Sequence, residues 1–190
     1  AMLALADSFV VGHVGDSRVY CFNVKDRLMQ VSRDHSLLNY KIDRGELKTA
    51  EDIANFSQGN IIVRAIGLKD YVSPEVQTIA RRPGDLFLLC SDGLTDLVDD
   101  WLIENVMDAN AETLDEGNEA LVRMANDRGG KDNITVMMIR VDDLPEAHDA
   151  DAEEVTDPHG IASLEELTDP GFDHDDLDKT QEALPIADLE

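Results

Sequence analysis

Residues 84–96 read Gly-Asp-Leu-Phe-Leu-Leu-Cys-Ser-Asp-Gly-Leu-Thr-Asp, an aliphatic run that ends abruptly in a polar loop. The run from Leu86 to Cys90 has the length and composition of a buried β-strand, and Pro83-Gly84-Asp85 before it is typical of a turn. Asp92 follows directly, within Ser91-Asp92-Gly93, so its carboxylate is predicted to lie where a rigid strand meets a loop. Functional sites are often carried at such positions, because the scaffold holds the loop in place.

The segments that flank this strand are also rich in β-forming residues. The hairpin signal is the clearest, because Gly15-Asp16-Ser17 lies between the apolar runs 9–11 and 19–22 and predicts that these two strands pair. Residues 134–139 are apolar on both faces, so this closing strand is expected in the middle of a sheet. Further strand candidates are residues 3–6, 28–31 and 76–79.

Helix signals alternate with the strands, which predicts an α+β fold. The segment 36–45 has apolar residues four positions apart and ends in glycine. Thr49 is typical of a helix start, since an acidic residue follows three positions later. A helix capped by Asp99 or Asp100 is expected next, and a second one over residues 111–127.

The charge of the 190-residue chain is strongly and unevenly negative. Its 41 acidic and 16 basic side chains leave a formal charge of −25, and 18 of the acids but only one base lie in residues 142–190. The few aliphatic residues there cannot offset an ordering entropy of about 1–2 kcal/mol per residue, so we predict a disordered acidic tail after a folded domain of residues 1–141. A polyanion repels phosphate backbones and anionic lipid, which argues against nucleic-acid and membrane-surface binding.

The chain contains two cysteines, and none of its apolar runs approaches the ~20 residues needed to span a membrane. Cys21 and Cys90 lie within aliphatic runs and have no metal-ligand spacing. Small buried thiols of this kind are typical of a reducing compartment, so we expect a cytoplasmic protein.

Three aspartates occupy the same kind of position, at the junction of a predicted strand and a loop. Asp16 lies between two strands, Asp92 follows the strand at 86–90, and Asp132 directly precedes the closing strand. Carboxylates in loops held by strands are suitable ligands for hard divalent cations such as Mg²⁺ and Mn²⁺. Each motif taken singly is also ordinary turn chemistry, because aspartate bonds its own backbone and glycine accepts positive φ. Only the joint occurrence of the three favours a metal site.

The order of five motifs resembles that of the metal-dependent serine/threonine protein phosphatases, the type 2C or PPM family, in their bacterial form. The matching segments are Val14-Gly15-Asp16-Ser17-Arg18, Asp34-His35-Ser36, Arg64-Ala65-Ile66-Gly67, residues 84–96, and Asp132-Asn133-Ile134-Thr135-Val136. They are spread over residues 10–141 and do not include the acidic tail. The resemblance implies a two-sheet β-sandwich flanked by helices, with a metal cluster at one end.

The resemblance also implies roles for the three aspartates and for the segment after Ser36. Asp92 and Asp132 are expected to bind one core metal ion, and Asp16 an additional third ion with Asp92 close to it, the ions being Mn²⁺ or Mg²⁺. Residues 37–57 correspond to the family's mobile flap over the site. The implied substrates are phosphorylated proteins whose phosphoserine or phosphothreonine is hydrolysed by metal-activated water, in opposition to a serine/threonine kinase.

The chain departs from the family pattern on its N-terminal side. The phosphate-gripping arginine, a neighbouring acidic ligand and the Asp-Gly-x-Gly-Gly segment, which supplies the aspartate that bridges the core metals, have no counterpart in the sequence. One interpretation is that the sequence represents the C-terminal two thirds of an active phosphatase domain. The alternative is a catalytically inactive phosphatase-like fragment that acts as a phosphoprotein-binding or regulatory module. The three retained aspartates and the strand-like start favour the first interpretation.

A third hypothesis, independent of the family, is an acidic scaffold that binds divalent cations loosely through its tail. Residues 173–178, Asp-His-Asp-Asp-Leu-Asp, form such a cluster, although they lack the spacing of an EF-hand loop. Dependence of cation binding on Asp92 would support the phosphatase family, and dependence on the tail would support the scaffold. The basic pair Arg81-Arg82 is a hypothetical docking point for the same tail.

Overall fold

The computed structural model of the protein describes residues 1–68 and 70–143, which lie in the first of the two units into which the chain divides, Ala1–Glu146. The predicted disordered tail lies outside the described residues, except for its first two positions, and the domain boundary at residue 141 stays a prediction. Within the described part, no helix is both long and apolar enough to cross a membrane.

The strands form two antiparallel sheets, which confirms the two-sheet architecture. The first sheet has three strands, in the spatial order β1 (Met2–Ala4), β2 (Ser8–His13) and β5 (Glu75–Ala80). The second sheet has four strands, in the spatial order β4 (Arg27–Gln30), β3 (Arg18–Asn23), β6 (Leu86–Cys90) and β7 (Val136–Arg140).

The predicted helices are present, and the predicted start signal at Thr49 is used, whereas Asp99 stands at the N-cap of the helix that follows it without a side-chain cap bond. The described residues contain α1 (Leu37–Asp43), α2 (Ala50–Ala54), α3 (Asp92–Thr95), α4 (Asp100–Ala109) and α5 (Leu114–Asp127). Ser36 caps α1 by accepting from the Asn39 N–H, and Thr49 forms the expected capping box with Asp52 at the start of α2. Local signals of this kind act within one turn of chain, which is why the sequence predicts them.

Apolar side chains fill two layers on the two faces of the second sheet. The layer between the sheets contains Phe9, Val11, Val19, Cys21, Phe87 and Val141. Phe9 and Phe87 meet edge to face there, with ring centroids 4.9 Å apart. The layer between the second sheet and the helices contains Tyr20, Phe22, Leu86, Leu88, Ile103, Met107 and Leu121. Adjacent residues of β3 and β6 thus face opposite layers, so these two strands are apolar on both faces.

The predicted hairpin of residues 9–11 with 19–22 is wrong. β2 pairs with β1 and β5, whereas β3 pairs with β4 and β6, so the loop between β2 and β3 crosses from one sheet to the other. β2 alternates between buried and half-buried residues, while the middle of β3 is buried throughout. The apolar side chains of β3 point to both faces of the strand. They are buried on both faces only in the middle of the second sheet, between the two core layers.

The prediction that the closing strand is central is also wrong for the described residues. β7 is an edge strand that pairs only with β6 there. Of its four apolar side chains, Met137 is 55% exposed, Val136 and Ile139 are half-buried, and Met138 is buried and packs against α5 at Gly117. Apolar composition on both faces therefore reflects contact with a helix layer and with the other sheet rather than a neighbouring strand on each side.

Candidate metal centre

Asp16 lies in the loop that crosses between the two sheets, and His35 holds this loop in place. The backbone N–H of Gly15 donates to His35 Nδ1 at 3.1 Å, and the backbone N–H of His35 donates to the Gly15 carbonyl at 2.9 Å. Gly15 has a φ of +97°, a conformation that favours glycine. The position of the Asp16 carboxylate is therefore set by a buried contact between two distant segments of chain.

Asp92 is the first residue of α3 and is separated from the end of β6 by Ser91 alone. Its Oδ1 accepts from the Gly93 N–H at 2.8 Å, which fixes the carboxylate at the start of the helix. Ser91 does not cap this helix with its side chain. Its hydroxyl instead donates to the Asn133 carbonyl at 2.9 Å and accepts from the Thr135 N–H at 3.0 Å.

Four aspartates line one cavity of about 590 Å³, together with Arg18, Arg33, other residues between β4 and α1, and part of α1. The four are Asp16, Asp34, Asp92 and Asp96. Burial raises the pKa of Asp16, and repulsion from Asp92, Asp34 and Asp96 raises it further. The cavity therefore concentrates negative charge that its own residues do not fully compensate.

Arg18 neutralises one of these aspartates. It forms a two-pronged ion pair with Asp34, from Nε to Oδ1 at 3.0 Å and from Nη2 to Oδ2 at 2.7 Å. Its third nitrogen donates to the Tyr20 hydroxyl, which in turn donates to Asp100. Among the residues the structure describes, no ion pair neutralises Asp16, Asp92 or Asp96. A divalent cation fits this donor set, since oxygen ligands and excess negative charge are what Mg²⁺ and Mn²⁺ require.

Asp132 lies in the loop before β7, and this loop packs against the start of α3. A Cβ on Gly93 would stand 2.5 Å from the Asn133 carbonyl oxygen, so only glycine permits the contact. Together with the hydrogen bonds of Ser91, this contact brings the neighbours of Asp92 and Asp132 together. The Asp132 carboxylate itself is exposed, accepts from the Asn133 N–H at 2.6 Å, and is not among the residues that line the acidic cavity.

The structure thus brings Asp16 and Asp92 into one cavity and sets the Asp132 loop beside it. Sequence reasoning missed Asp96, although it stands four residues after Asp92 and therefore one helical turn away from it. The predicted flap segment contributes Leu38 and Asn39 to the cavity wall, and Gly59, Asn60 and Ile62 follow from the loop after α2. Backbone bonds from Leu37 to Ile61 and from Val63 to His35 hold this wall together.

The basic residues Arg64, Arg81 and Arg82 contact other residues of the same chain. Arg64 approaches His35 Nε2 at 3.2 Å. Arg81 donates to the Ala6 carbonyl and lies over the Phe9 ring, while Arg82 pairs with Asp26 at 3.4 Å. The hypothetical docking of the tail on Arg81 and Arg82 involves residues outside the described part and stays a prediction.

Comparison with known proteins relates the chain to phosphatases. Residues 57–142 match the family model described as Stage II sporulation protein E (SpoIIE). The protein phosphatase PhpP of Streptococcus pneumoniae serotype 2 is 36% identical over 143 residues, which are 75% of this chain and 57% of that protein. The serine/threonine phosphatase stp of Listeria innocua is 33% identical over 150 residues, or 79% of this chain and 58% of that protein. The chain spans slightly more than half the length of the curated relatives it matches.

Solved structures agree in fold. The Mycobacterium tuberculosis serine/threonine phosphatase PstP/Ppp is 30% identical, with a TM-score of 0.66 over 75% of this chain and 58% of that one. The S. agalactiae serine/threonine phosphatase is 35% identical, with a TM-score of 0.66 over 74% and 57%. A structure of the PstP catalytic domain in complex with two manganese ions is 31% identical, with a TM-score of 0.62 over 75% and 57%. In sequence and in fold, this chain belongs to the PPM, or type 2C, family of serine/threonine protein phosphatases.

Proposed function

We propose that the chain carries part of the active site of a phosphoprotein phosphatase, with Asp16, Asp92 and Asp132 as ligands of Mn²⁺ or Mg²⁺. The observation that supports this most directly is the shared cavity of Asp16 and Asp92, in which burial and repulsion from Asp92 raise the pKa of Asp16. A bound divalent cation would convert that repulsion into attraction. The two manganese ions of the PstP structure support the choice of metal.

The three aspartates have separate roles in this proposal. Asp92 and Asp132 bind one core metal ion, supported by the contact between their loops at Gly93 and Asn133. Asp16 binds a further ion together with Asp92, supported by their position in one cavity. Asp96, on the same helical face as Asp92, adds a carboxylate to that further ion.

The remaining residues of the cavity act by fixing these ligands. Bound divalent cations would activate water for attack on phosphorus and neutralise charge on the phosphoryl oxygens. Arg18 keeps Asp34 paired, so Asp34 does not compete as a ligand. His35 bonds both the N–H and the carbonyl of Gly15, and thereby keeps Asp16 directed at the cavity.

The substrates proposed are proteins phosphorylated on serine or threonine by an opposing kinase, in the cytoplasm. The relatives named serine/threonine phosphatase support the substrate class. The two free, buried cysteines are compatible with the reducing compartment.

A second candidate function is a catalytically inactive, phosphoprotein-binding module. One observation favours it for the residues of this chain taken alone: they include no Asp-Gly-x-Gly-Gly segment, which supplies the bridging aspartate in the family that the chain resembles. The chain also covers only 57% of PhpP, so the activity of the whole relative is a proposal for this chain.

Phosphate release from a phosphothreonine peptide, measured with Mn²⁺ for the wild type and for Asp92→Asn, tests both candidates. Under the first candidate the wild type releases phosphate and the variant loses several orders of magnitude in rate, whereas under the second neither releases it. Asp127→Asn, at an exposed position at the end of α5, is the matched control and should behave as the wild type.

Mn²⁺ binding without release would favour the binding module. Equal Mn²⁺ binding by the wild type and Asp92→Asn would contradict the metal-site assignment. If that binding were instead abolished by replacing the aspartates of residues 173–178 with asparagine, the acidic scaffold would be the better description.

A further inference from the structure

Two histidines and a glutamate converge at a place that the aspartate cavity does not use. His13 is the last residue of β2, Glu75 is its register partner at the start of β5, and His35 comes from the segment before α1. One ligand atom of each residue lies within 4.8 Å of the other two. His13 and His35 are each 7% exposed, whereas the Glu75 side chain is 42% exposed. None of the three lines the acidic cavity.

His13 has the hydrogen-bonding pattern of a metal ligand. Its Nε2 lies 2.8 Å from the Arg33 carbonyl, which can only accept, so Nε2 carries the hydrogen and Nδ1 carries the lone pair. That Nδ1 is buried and has no hydrogen-bond partner within the described structure. Histidines that bind metals commonly donate their other ring N–H to a backbone carbonyl, which orients the ring. His13 Nδ1 therefore has a buried lone pair that neither a hydrogen-bond donor nor an ion engages within the described structure.

His35 and Glu75 complete the donor set. The rings of His13 and His35 are stacked, with centroids 4.7 Å apart, and His35 Nε2 lies 3.5 Å from Glu75 Oε2. In a tetrahedral zinc site with bonds of about 2.0–2.2 Å, neighbouring donor atoms are roughly 3.4 Å apart. The separation between His35 and Glu75 already matches that value.

We propose that His13 Nδ1, His35 Nε2 and a Glu75 carboxylate oxygen bind a Zn²⁺ ion, at a site distinct from the aspartate cavity. Two imidazoles and one carboxylate are a ligand set that suits zinc, whereas Mg²⁺ and Mn²⁺ prefer oxygen donors alone. Three protein ligands leave the fourth position to water. The exposed side of Glu75 provides the route from solvent. None of its ligands is a proposed ligand of the aspartate centre, although His35 also holds the loop that carries Asp16.

Zinc binding requires two rearrangements. The His13 and His35 rings are stacked with 17° between their planes, so their in-plane lone pairs lie side by side, and one ring must turn before both can meet one ion. The tautomer of His35 must also change. His35 Nδ1 now accepts from the Gly15 N–H, so Nε2 carries the ring hydrogen. For Nε2 to bind the ion, that hydrogen moves to Nδ1, the bond from Gly15 is lost, and the ion replaces Arg64 as the group that faces Nε2. The zinc-bound ring and the Gly15 hydrogen bond therefore exclude each other.

The test is a Zn²⁺ titration of the full chain against a chromophoric chelator, with excess Mg²⁺ present to fill sites that have only oxygen ligands. We expect one equivalent of tight Zn²⁺ binding. Glu75→Gln should weaken it at least about tenfold, since even the loss of a residue that supports a metal ligand has an effect of this size. His13→Gln and His35→Asn should weaken it as much, whereas Asp92→Asn should not change it.

Two controls keep the result interpretable. The chain has three other histidines, His148, His159 and His174, so the titration is repeated with all three replaced by alanine. Thermal unfolding in the absence of metal shows whether each variant is folded, and Glu75→Gln is the decisive one because its side chain is partly exposed. Zinc binding that survives Glu75→Gln unchanged, or that disappears with the three other histidines, would overturn the proposal.

Discussion

Gly93 lies against Asn133 so closely that a Cβ on the glycine would stand 2.5 Å from the Asn133 carbonyl oxygen. This contact joins the loop that follows β6 to the loop that precedes β7, and each of these residues adjoins a proposed metal ligand. The two loops can approach each other this closely only because residue 93 has no side chain.

Gly93→Ala should force the two loops apart, because the atom that the new methyl group meets is backbone and cannot rotate away. We expect a loss of stability of about 1–3 kcal/mol, as for overpacking of a tight site, together with weaker Mn²⁺ binding. Urea unfolding and a Mn²⁺ titration would measure the two effects. Gly12→Ala is the matched control, since its Cβ would meet nothing closer than 3.8 Å and it does not line the acidic cavity. Equal behaviour of the two variants would mean that the loops do not need this contact.

Mn²⁺ should stabilise the protein through the aspartate cavity. At a Mn²⁺ concentration of about 100 times Kd, an ion that binds only the folded state adds about 2.7 kcal/mol to the free energy of unfolding. Asp92→Asn should remove this gain. Asp16→Asn should reduce it and should also raise the stability of the metal-free protein, because repulsion among the cavity carboxylates is relieved. Thermal unfolding with Mn²⁺ and with EDTA would show both effects, and a metal-free Asp16→Asn variant less stable than the wild type would contradict the second.

The ion pair of Arg18 with Asp34 should contribute more to the free energy of unfolding than the pair of Arg33 with Asp43, although both have a shortest N–O distance of 2.7 Å. The first pair has side chains 24% and 13% exposed, and the second 49% and 63%. Arg18→Ala removes the ion-pair partner of the mostly buried Asp34 carboxylate and should lower the free energy of unfolding by about 2–3 kcal/mol. Arg33→Ala should lower it by less than about 1 kcal/mol. Chemical denaturation of the two variants makes the comparison, and equal losses would mean that burial does not distinguish the pairs.

Neither cysteine should react with alkylating reagents while the protein is folded. Burial raises the pKa of the Cys21 thiol to about 11 and that of the Cys90 thiol to about 12, so little thiolate exists near pH 8. Mass spectrometry after treatment with iodoacetamide should find both thiols unmodified in buffer and both modified in urea. Rapid labelling of Cys90 in buffer would show that the end of β6 opens, and would weaken the description of Asp92 as held by a rigid strand.

The local features of this protein were predictable because their causes lie within a few residues. The strand at Leu86–Cys90, the cap at Thr49, and the position of Asp92 at a strand end follow from apolar patterning and from side chains that bond neighbouring backbone groups. The joint pattern of loop aspartates likewise pointed to the phosphatase family, which the comparisons confirm.

Partners across the fold were decided only by tertiary structure. Gly15 and Asp16 specify a change of chain direction, and the same turn chemistry serves a hairpin and a crossing between sheets; the crossing prevails because the apolar residues of β3 are buried only in the middle of the second sheet. The convergence of His13 with Glu75, and the contact of Gly93 with Asn133, join residues tens of positions apart. No local rule encodes such pairs, because packing of the whole sandwich selects them.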